Sequence, residues 1–313
     1  MTEFQEKLLQ TFKAFALFCK ENDLTYFAAY GTCLGAVRHH GFIPWDDDMD
    51  VYMMRDDYER LMEVRKKLYG TIYKVSDMRD GDYPYMFGKF YSTDATIWEW
   101  KQFPFIIGPW IDIFPIDEWD NSQESSDLYD AYHLSEWNYR KSLSTQTWGE
   151  IVDDLIKCRG FNGIIKLVKK SVYSPFKKHY FKTTISNLNK IISFNGPKLK
   201  AWTEVKSEEY EKEWFSQLVD VPFEDTTISI PVGYHEYLTH RYGDYMALPP
   251  VEKRVANHDY FFIDLHRHLT VKQIMSDSLI KKEEPAPLSF KIIVDEIKNR
   301  RGFKGFRHKS IKE

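Results

Sequence analysis

Cysteine is scarce in this sequence, and the few cysteines lie far apart. The 313 residues include three of them, Cys19, Cys33 and Cys158. An odd number of widely spaced cysteines provides neither a disulfide framework nor the closely spaced thiols of a structural zinc site. We therefore predict a reducing compartment, and the expected localisation is cytoplasmic.

Long apolar runs and an excess of positive charge are also absent. No segment approaches the roughly 18 apolar residues that a membrane-spanning helix needs. The first residues, MTEFQEKLLQTFKAF, carry acidic side chains and no uninterrupted apolar core, so we expect no secretory signal. The formal net charge of −4 argues against nucleic acid as the main partner. With 43% hydrophobic residues, the chain can still bury a substantial core.

The apolar pattern of the first 120 residues predicts alternating helices and strands. Thr2 and Gln5 have the spacing of a capping box, and the helix that they begin is predicted to end near Glu21. Further helices are predicted at 31–37 and 55–68. Strands are predicted at 25–30, 48–54, 71–75, 86–91, 95–100 and 110–114. This order indicates the α+β class.

A cluster of carboxylates opens one of the predicted strands. PWDDDMDV, residues 44–51, places four carboxylates within five positions. Such a cluster repels itself unless a cation binds it. In a strand, Asp48 and Asp50 would project from one face while Met49 and Val51 face the other. Two carboxylates are enough for Mg²⁺, which leaves its other positions to water and phosphate.

Two other interpretations of this cluster stay open. One is a solvated loop, although the apolar residues that follow draw the cluster towards the core. The other is a calcium loop, because Asp46, Asp48 and Asp50 match the first, third and fifth ligand positions of an EF-hand. Val51 stands where that loop requires glycine, and Asp57 stands where it requires glutamate.

Gly31-Thr32 and Asp112 complete the candidate site. Gly31-Thr32 lies between a predicted strand and a predicted helix start, where free N–H groups attract an anion. Asp112 lies in the apolar run WIDIFPID, so it is either a hydrogen-bonded structural residue or a metal ligand. A carboxylate pair elsewhere favours the second interpretation.

The string GTCLGAVRHHGFIPWDDDMDV, residues 31–51, closely resembles the signature of the LicD family, bacterial phosphocholine transferases related to fukutin and fukutin-related protein. YLTHRYGDYMALPPVEKRVANH, residues 237–258, is similar to the C-terminal element of that family. The resemblance implies a nucleotidyltransferase-like mixed sheet with flanking helices and a helical insertion and C-terminal region. It also implies Mg²⁺, or Mn²⁺ in its place, and a nucleotide-activated donor, commonly CDP-choline.

The resemblance further implies roles for individual residues. The catalytic and metal-binding residues would be Asp48, Asp50 and Asp112. Gly31 and Thr32 would bind the donor phosphates, and further donor-binding candidates are Arg38, Lys89, Arg254 and His258, with Asp244 beside them. If the head group is choline, it needs aromatic faces, and the tryptophans nearest in sequence are Trp45, Trp98, Trp100, Trp110 and Trp119.

Four units are predicted along the chain. They are a nucleotidyltransferase-like catalytic core at 1–120, a mostly helical, strand-poor insertion at 121–225, the C-terminal part of the catalytic domain at 226–285 and a basic tail at 286–313. Within the insertion, residues 155–203 contain eleven Lys or Arg residues and no Asp or Glu. The stretch 161–172 has one apolar helical side surrounded by lysines, which suits either an anionic membrane surface or a solvated helix packed on the core. We expect a peripheral contact with the inner face of the cell membrane.

Three functions follow as hypotheses. The leading one transfers a phospho-head-group, most simply phosphocholine from CDP-choline, to a cell-surface glycan or its lipid-linked precursor. The second transfers the nucleotide itself from a nucleoside triphosphate, which needs the same metals. The third is a non-catalytic glycan-binding or calcium-binding protein.

Overall fold

A computed structural model describes residues 1–143, 174–201, 208–256, 258 and 260–276. The predicted apolar helical side at 161–172 and the predicted basic tail at 286–313 lie outside these residues. Seven α-helices are found in the described part: α1 Glu3–Glu21, α2 Tyr30–His39, α3 Arg55–Val64, α4 Gln123–Leu143, α5 Lys177–Ile191, α6 Tyr234–Tyr242 and α7 Val271–Ser276. Short 3₁₀ segments are Arg65–Leu68, Met78–Asp80, Ser174–Phe176, Lys212–Phe215 and Val251–Lys253.

A mixed sheet forms the centre of the fold. The described strands are β1 Phe27–Ala28, β2 Asp50–Met54, β3 Tyr73–Ser76, β4 Gly88–Ser92, β5 Thr96–Trp98, β6 Trp110–Trp119, β7 Lys198–Ala201, β8 Glu209–Glu211, β9 Leu218–Phe223, β10 Thr226–Pro231 and β11 Phe262–Asp264. The sheet has the order β1-β2-β6-β4-β3, with β7 paired to β6 and β8 paired to β7. β2 and β6 are parallel and the other pairs of this sheet are antiparallel. Strands and helices in this order confirm the α+β class.

The central strand β6 is covered on both edges. β2 pairs with residues 112–116, while β4 and β7 share the opposite edge. Nine of its ten residues are buried, which explains the near-continuous apolar run around Asp112. The β9–β10 and β5–β11 pairs form two further small sheets.

The first helix forms as the capping pattern predicts. The hydroxyl of Thr2 accepts a hydrogen bond from the backbone N–H of Gln5 at 3.1 Å, and the side chain of Gln5 accepts one from the backbone N–H of Thr2 at 2.9 Å. Leu8, Phe12 and Phe15 on one side of the helix are fully buried. Burying each contributes about 1.5–3 kcal/mol, so α1 is fixed over β4 and β6.

Two sequence expectations need correction. The strand predicted at 48–54 begins at Asp50, so Asp48 lies in the preceding loop. The strand predicted at 25–30 is limited to Phe27–Ala28, because Tyr30 already begins α2.

The region beyond residue 122 is also not as poor in strands as predicted. α4 and α5 pack together, but β7 to β11 follow, and β7 and β8 enlarge the central sheet. Alternating Lys and apolar residues at 198–201 gave a weak strand signal within a strongly basic stretch. The division into four units stays a prediction.

Candidate active site

Four carboxylates meet in one cleft at the end of the sheet where β2 begins. Asp46, Asp48, Asp50 and Asp112 all line this cleft, whose volume is about 720 Å³. Asp50 and Asp112 are register partners in the parallel β2–β6 pair, so their side chains leave the same face of the sheet. Asp48 reaches the cleft from the loop. The structure therefore brings together the three carboxylates that the sequence singled out.

The carboxylates raise the pKa of one another. Burial, followed by the charges of Asp48, Asp112 and Asp46, raises the pKa of Asp50 well above its usual value. Burial and the charge of Asp48 raise the pKa of Asp46 to about 8, helped by a hydrogen bond between the two carboxyl groups. Burial also raises the pKa of Asp48. Without a cation, the cleft therefore favours the protonated forms of Asp46, Asp48 and Asp50.

Asp112 is held by a buried lysine. Lys89 Nζ lies 2.8 Å from Asp112 Oδ1 and 3.5 Å from Glu99 Oε2, and Trp110 Nε1 donates a hydrogen bond to Asp112 Oδ2 at 3.0 Å. Burial raises the pKa of Asp112, and the Lys89 charge limits the rise to about 6. Lys89, a candidate for phosphate binding, is 1% exposed and is not part of the cleft lining. Its position suits holding Asp112 rather than touching a donor.

The donor set fits a hard divalent cation. All four candidate ligands are carboxylate oxygens, the ligand type that Mg²⁺ and Mn²⁺ prefer. Across the described ranges, no group of three or more His, Cys, Asp or Glu side chains is already placed as a metal-binding set. Asp112 is held by Lys89 and Trp110, and Asp46 is hydrogen-bonded to Asp48 with its pKa raised to about 8, which leaves the pair Asp48 and Asp50 as the first choice of ligands. A pair is compatible with Mg²⁺, which commonly binds through one or two carboxylates, water and substrate phosphate.

Gly31 and Thr32 support the carboxylates. A side chain at Gly31 would place its Cβ 2.4 Å from Asp46 Oδ2, so the absence of a side chain permits this close approach. Thr32 Oγ1 accepts a hydrogen bond from the backbone N–H of Asp50 at 2.8 Å. Gly31 lines the cleft, whereas Thr32 is buried behind it and fixes the start of β2.

The other predicted cations lie near the mouth of the cleft. Arg38 lines the cleft and donates from Nη1 to the carbonyl oxygens of Tyr245 and Ala247, at 2.8 and 3.2 Å. It therefore fixes the loop that follows α6. Arg254 donates from Nε to the Pro249 carbonyl at 2.9 Å, and its guanidinium lies 5.6 Å from the centre of the Trp45 ring. Arg254 stands behind the cleft wall, while Asp244 lines the cleft.

His258 reaches the carboxylates through a network that the sequence did not show. Its Nδ1 lies 2.9 Å from Asp47 Oδ1, and its Nε2 lies 3.6 Å from Asp48 Oδ2. Tyr260 donates a hydrogen bond to Asp47 Oδ2 at 2.9 Å. Burial lowers the pKa of His258, but the bond to Asp47 and the charge of Asp48 outweigh it and raise the pKa to about 9. Asp47 and Tyr260 thus orient a protonated imidazolium towards the cleft.

A second group, Tyr30, Glu208 and Arg241, lines the cleft and was missed by sequence reasoning. Glu208 accepts hydrogen bonds from Arg241 Nη1 at 2.7 Å and from the Tyr30 hydroxyl. Arg241 lies within the quoted string 237–258, so its position was a usable signal. Glu208 is 178 residues from Tyr30, and no local pattern marks it.

Aromatic rings complete the lining. They are Tyr30, Trp45, Phe87, Phe114, Tyr242 and Tyr245. Of the five tryptophans considered from the sequence, Trp45 alone is part of this lining, and Trp110 lies behind Asp112. The rings give the cleft faces that suit an organic cation.

The mixed sheet and the carboxylates at the start of β2 define a nucleotidyltransferase-type domain. Residues 23–148 match the family described as LicD/FKTN/FKRP, nucleotidyltransferase domain. This match, together with the relative described next, confirms the resemblance to the LicD family. The prediction of a LicD-type transferase is confirmed at the level of the family.

The chain is also similar to individual proteins. It is 28% identical over 266 residues to the lipopolysaccharide cholinephosphotransferase LicD of Haemophilus influenzae, covering 82% of this chain and 96% of that protein. The uncharacterised protein RP689 of Rickettsia prowazekii is 41% identical over 56 residues, covering 18% of this chain and 21% of that protein. The uncharacterised protein RT0683 of Rickettsia typhi is 36% identical over 55 residues, covering 18% of each.

Proposed function

We propose that this protein transfers phosphocholine from CDP-choline to a sugar hydroxyl of a cell-surface glycan such as lipopolysaccharide, or of its lipid-linked precursor. The observation that carries the proposal is the group of buried carboxylates in one cleft, with Asp50 and Asp112 as register partners on neighbouring strands. The similarity to a lipopolysaccharide cholinephosphotransferase over most of both chains supports the head group and the acceptor class.

The carboxylates divide into two roles. Asp48 and Asp50 would hold Mg²⁺, or Mn²⁺ in its place. When bound, the cation neutralises charge on the phosphate oxygens. Asp112, held by Lys89 and Trp110, completes the site and orients the acceptor hydroxyl or removes its proton. Attack of that hydroxyl on phosphorus then releases CMP.

The remaining candidates surround the donor. The Gly31 region and Arg38 face the phosphates, with Thr32 fixing Asp50 beneath them. His258 presents a positive charge to the same carboxylates. Arg254 supports Trp45 at the mouth, and Trp45 with its neighbouring rings offers faces to the quaternary ammonium.

A donor panel tests the proposal. The protein is incubated with Mg²⁺ and, separately, CDP-choline, CDP-glycerol, CDP-ribitol or a nucleoside triphosphate, with a glycan acceptor, and CMP and pyrophosphate are quantified. CMP formation that depends on CDP-choline and acceptor is expected. Pyrophosphate from a nucleoside triphosphate would instead favour nucleotidyl transfer, which the family description also suits. No product with any donor would leave the non-catalytic glycan-binding or calcium-binding function.

A matched pair of variants ties the activity to the carboxylates. Asp48→Asn is expected to abolish turnover while the fold persists, because it removes a ligand charge without changing volume. Asp56→Asn changes an exposed carboxylate eight residues away and is expected to retain activity. Near-normal turnover in Asp48→Asn would reject the metal assignment.

We also propose a cytoplasmic location with a peripheral contact at the inner face of the membrane. The basic composition of residues 155–203 supports this proposal. Among the described residues, no helix is both long enough and apolar enough to cross a bilayer. Co-sedimentation with liposomes that rises with the fraction of anionic lipid is the expected result.

A further inference from the structure

One wall of the cleft carries an arginine that is unusually well fixed. Arg241, at the end of α6, donates from Nη1 to Glu208 Oε1 at 2.7 Å, and its guanidinium carbon lies 4.2 Å from the centre of the Tyr30 ring. Glu208 is 3% exposed and accepts a second hydrogen bond from the Tyr30 hydroxyl. A buried carboxylate and an aromatic face thus hold the guanidinium in one orientation.

The backbone of Tyr30 is strained to make this arrangement. Its φ is +43°, which is uncommon for a residue with a bulky side chain. The strained residue is fixed by a hydrogen bond from its backbone N–H to the Tyr237 hydroxyl at 2.8 Å. Such strain persists only where the surroundings over-determine it, and it concentrates at ligand sites. The Tyr30 ring lines the cleft and contacts Arg241 there.

Three other cations near this cleft are engaged by protein groups. Lys89 is enclosed by Asp112 and Glu99. Arg38 donates to loop carbonyls, and His258 faces Asp47 and Asp48. The Nε of Arg241 is buried without a hydrogen-bond acceptor among the described residues. The Arg241 side chain as a whole is 27% exposed and lines the cleft, so a ligand in the cleft can contact it.

We propose that Arg241 binds the diphosphate of the donor, with Glu208 and Tyr30 as the residues that position it. This inference rests on the proposed function, because it assigns the donor contact of the same cleft. Arginine suits the role, since its planar fork bonds two phosphate oxygens at once.

The first experiment measures binding of inorganic pyrophosphate with Mg²⁺ by calorimetry, so it does not require turnover. Arg241→Lys keeps the charge and loses the fork, and it is expected to weaken pyrophosphate binding about tenfold or more, as the loss of a charge-assisted hydrogen bond does. The double variant Arg241→Gln with Glu208→Gln avoids an unpaired buried carboxylate and is expected to weaken binding at least as much. Arg267→Gln, at a side chain 65% exposed, is the matched control and should bind as the unaltered protein does.

Glu208→Gln tests positioning separately from folding. It is expected to raise the KM for CDP-choline and to weaken pyrophosphate binding, while the binding of cytidine, which has no phosphate, stays close to that of the unaltered protein and shows that the cleft is still folded. Weaker pyrophosphate binding in the Arg241 variants upholds the inference even if CDP-choline is not the donor. Unchanged pyrophosphate binding in both Arg241 variants, or none by the unaltered protein, overturns it even if CDP-choline is turned over.

Discussion

The buried ion pairs of Lys89 make it possible to measure how much charge pairing beside the cleft contributes to the stability of the fold. Its side chain is 1% exposed, and its two carboxylate partners, Asp112 and Glu99, are 8% and 9% exposed. The ammonium also lies 4.3 Å from the centre of the Trp110 ring. Solvent therefore screens these charges little, unlike those of a surface pair. Lys89→Met would leave two buried carboxylates without their cation.

Lys89→Met is expected to lower the free energy of unfolding by about 3–5 kcal/mol, the usual cost of removing one member of a buried pair. The double variant Lys89→Met with Asp112→Asn should recover most of it, because Glu99 keeps the hydrogen bond from the Tyr85 hydroxyl at 2.5 Å. Urea unfolding, followed by tryptophan fluorescence, is measured for the unaltered protein, both single variants and the double variant. The four unfolding free energies give the coupling energy between Lys89 and Asp112. If the losses of unfolding free energy in the two single variants simply add up in the double variant, the pairing is refuted.

Three further predictions concern the cleft. In the absence of divalent cations, the unfolding free energy should fall as the pH rises from about 4 to about 8, because the folded-state pKa of Asp46 is raised to about 8 and the folded state keeps a proton that the unfolded state releases near pH 4. Mg²⁺ should reverse the fall, and thermal melting with and without EDTA checks this. Gly31→Ala should lower kcat and weaken Mg²⁺ binding, since the new Cβ meets the Asp46 carboxylate at 2.4 Å; normal Mg²⁺ affinity by calorimetry would contradict this. Tyr260→Phe should lower the pKa of His258 below about 9 in a ¹⁵N NMR titration, because Asp47 then turns away from the ring, and an unchanged pKa would argue against this orienting role.

The sequence predicted those parts of the site that are encoded locally. Asp48 and Asp50 stand in one short string, and Gly31 lies close before them, so their spacing alone placed them in one pocket. Asp112 was predictable because a lone carboxylate in an apolar strand needs a partner. These positions are the ones that the structure brings together around the cleft.

The rest depends on contacts between distant residues. From the sequence alone, the Lys89 side chain could equally well contact a ligand. The β4–β6 pairing places Lys89 opposite Asp112, and the Lys89 side chain is buried there. The pairing of Glu208 with Tyr30 has no local pattern at all. β2 begins at Asp50, whose backbone N–H donates a hydrogen bond to Thr32 Oγ1 in α2, and sequence periodicity does not reveal this contact.

The cleft has a consequence for how much of the chain is needed to make a working protein. The carboxylates lie within the residues of the family match, which ends at 148. The imidazole of His258 and the guanidinium of Arg241 come from more than ninety positions later. A shorter chain that stopped at the end of the match would keep the acids together with Arg38 and Lys89 but lose His258 and Arg241, so less positive charge would balance the carboxylates when a diphosphate enters.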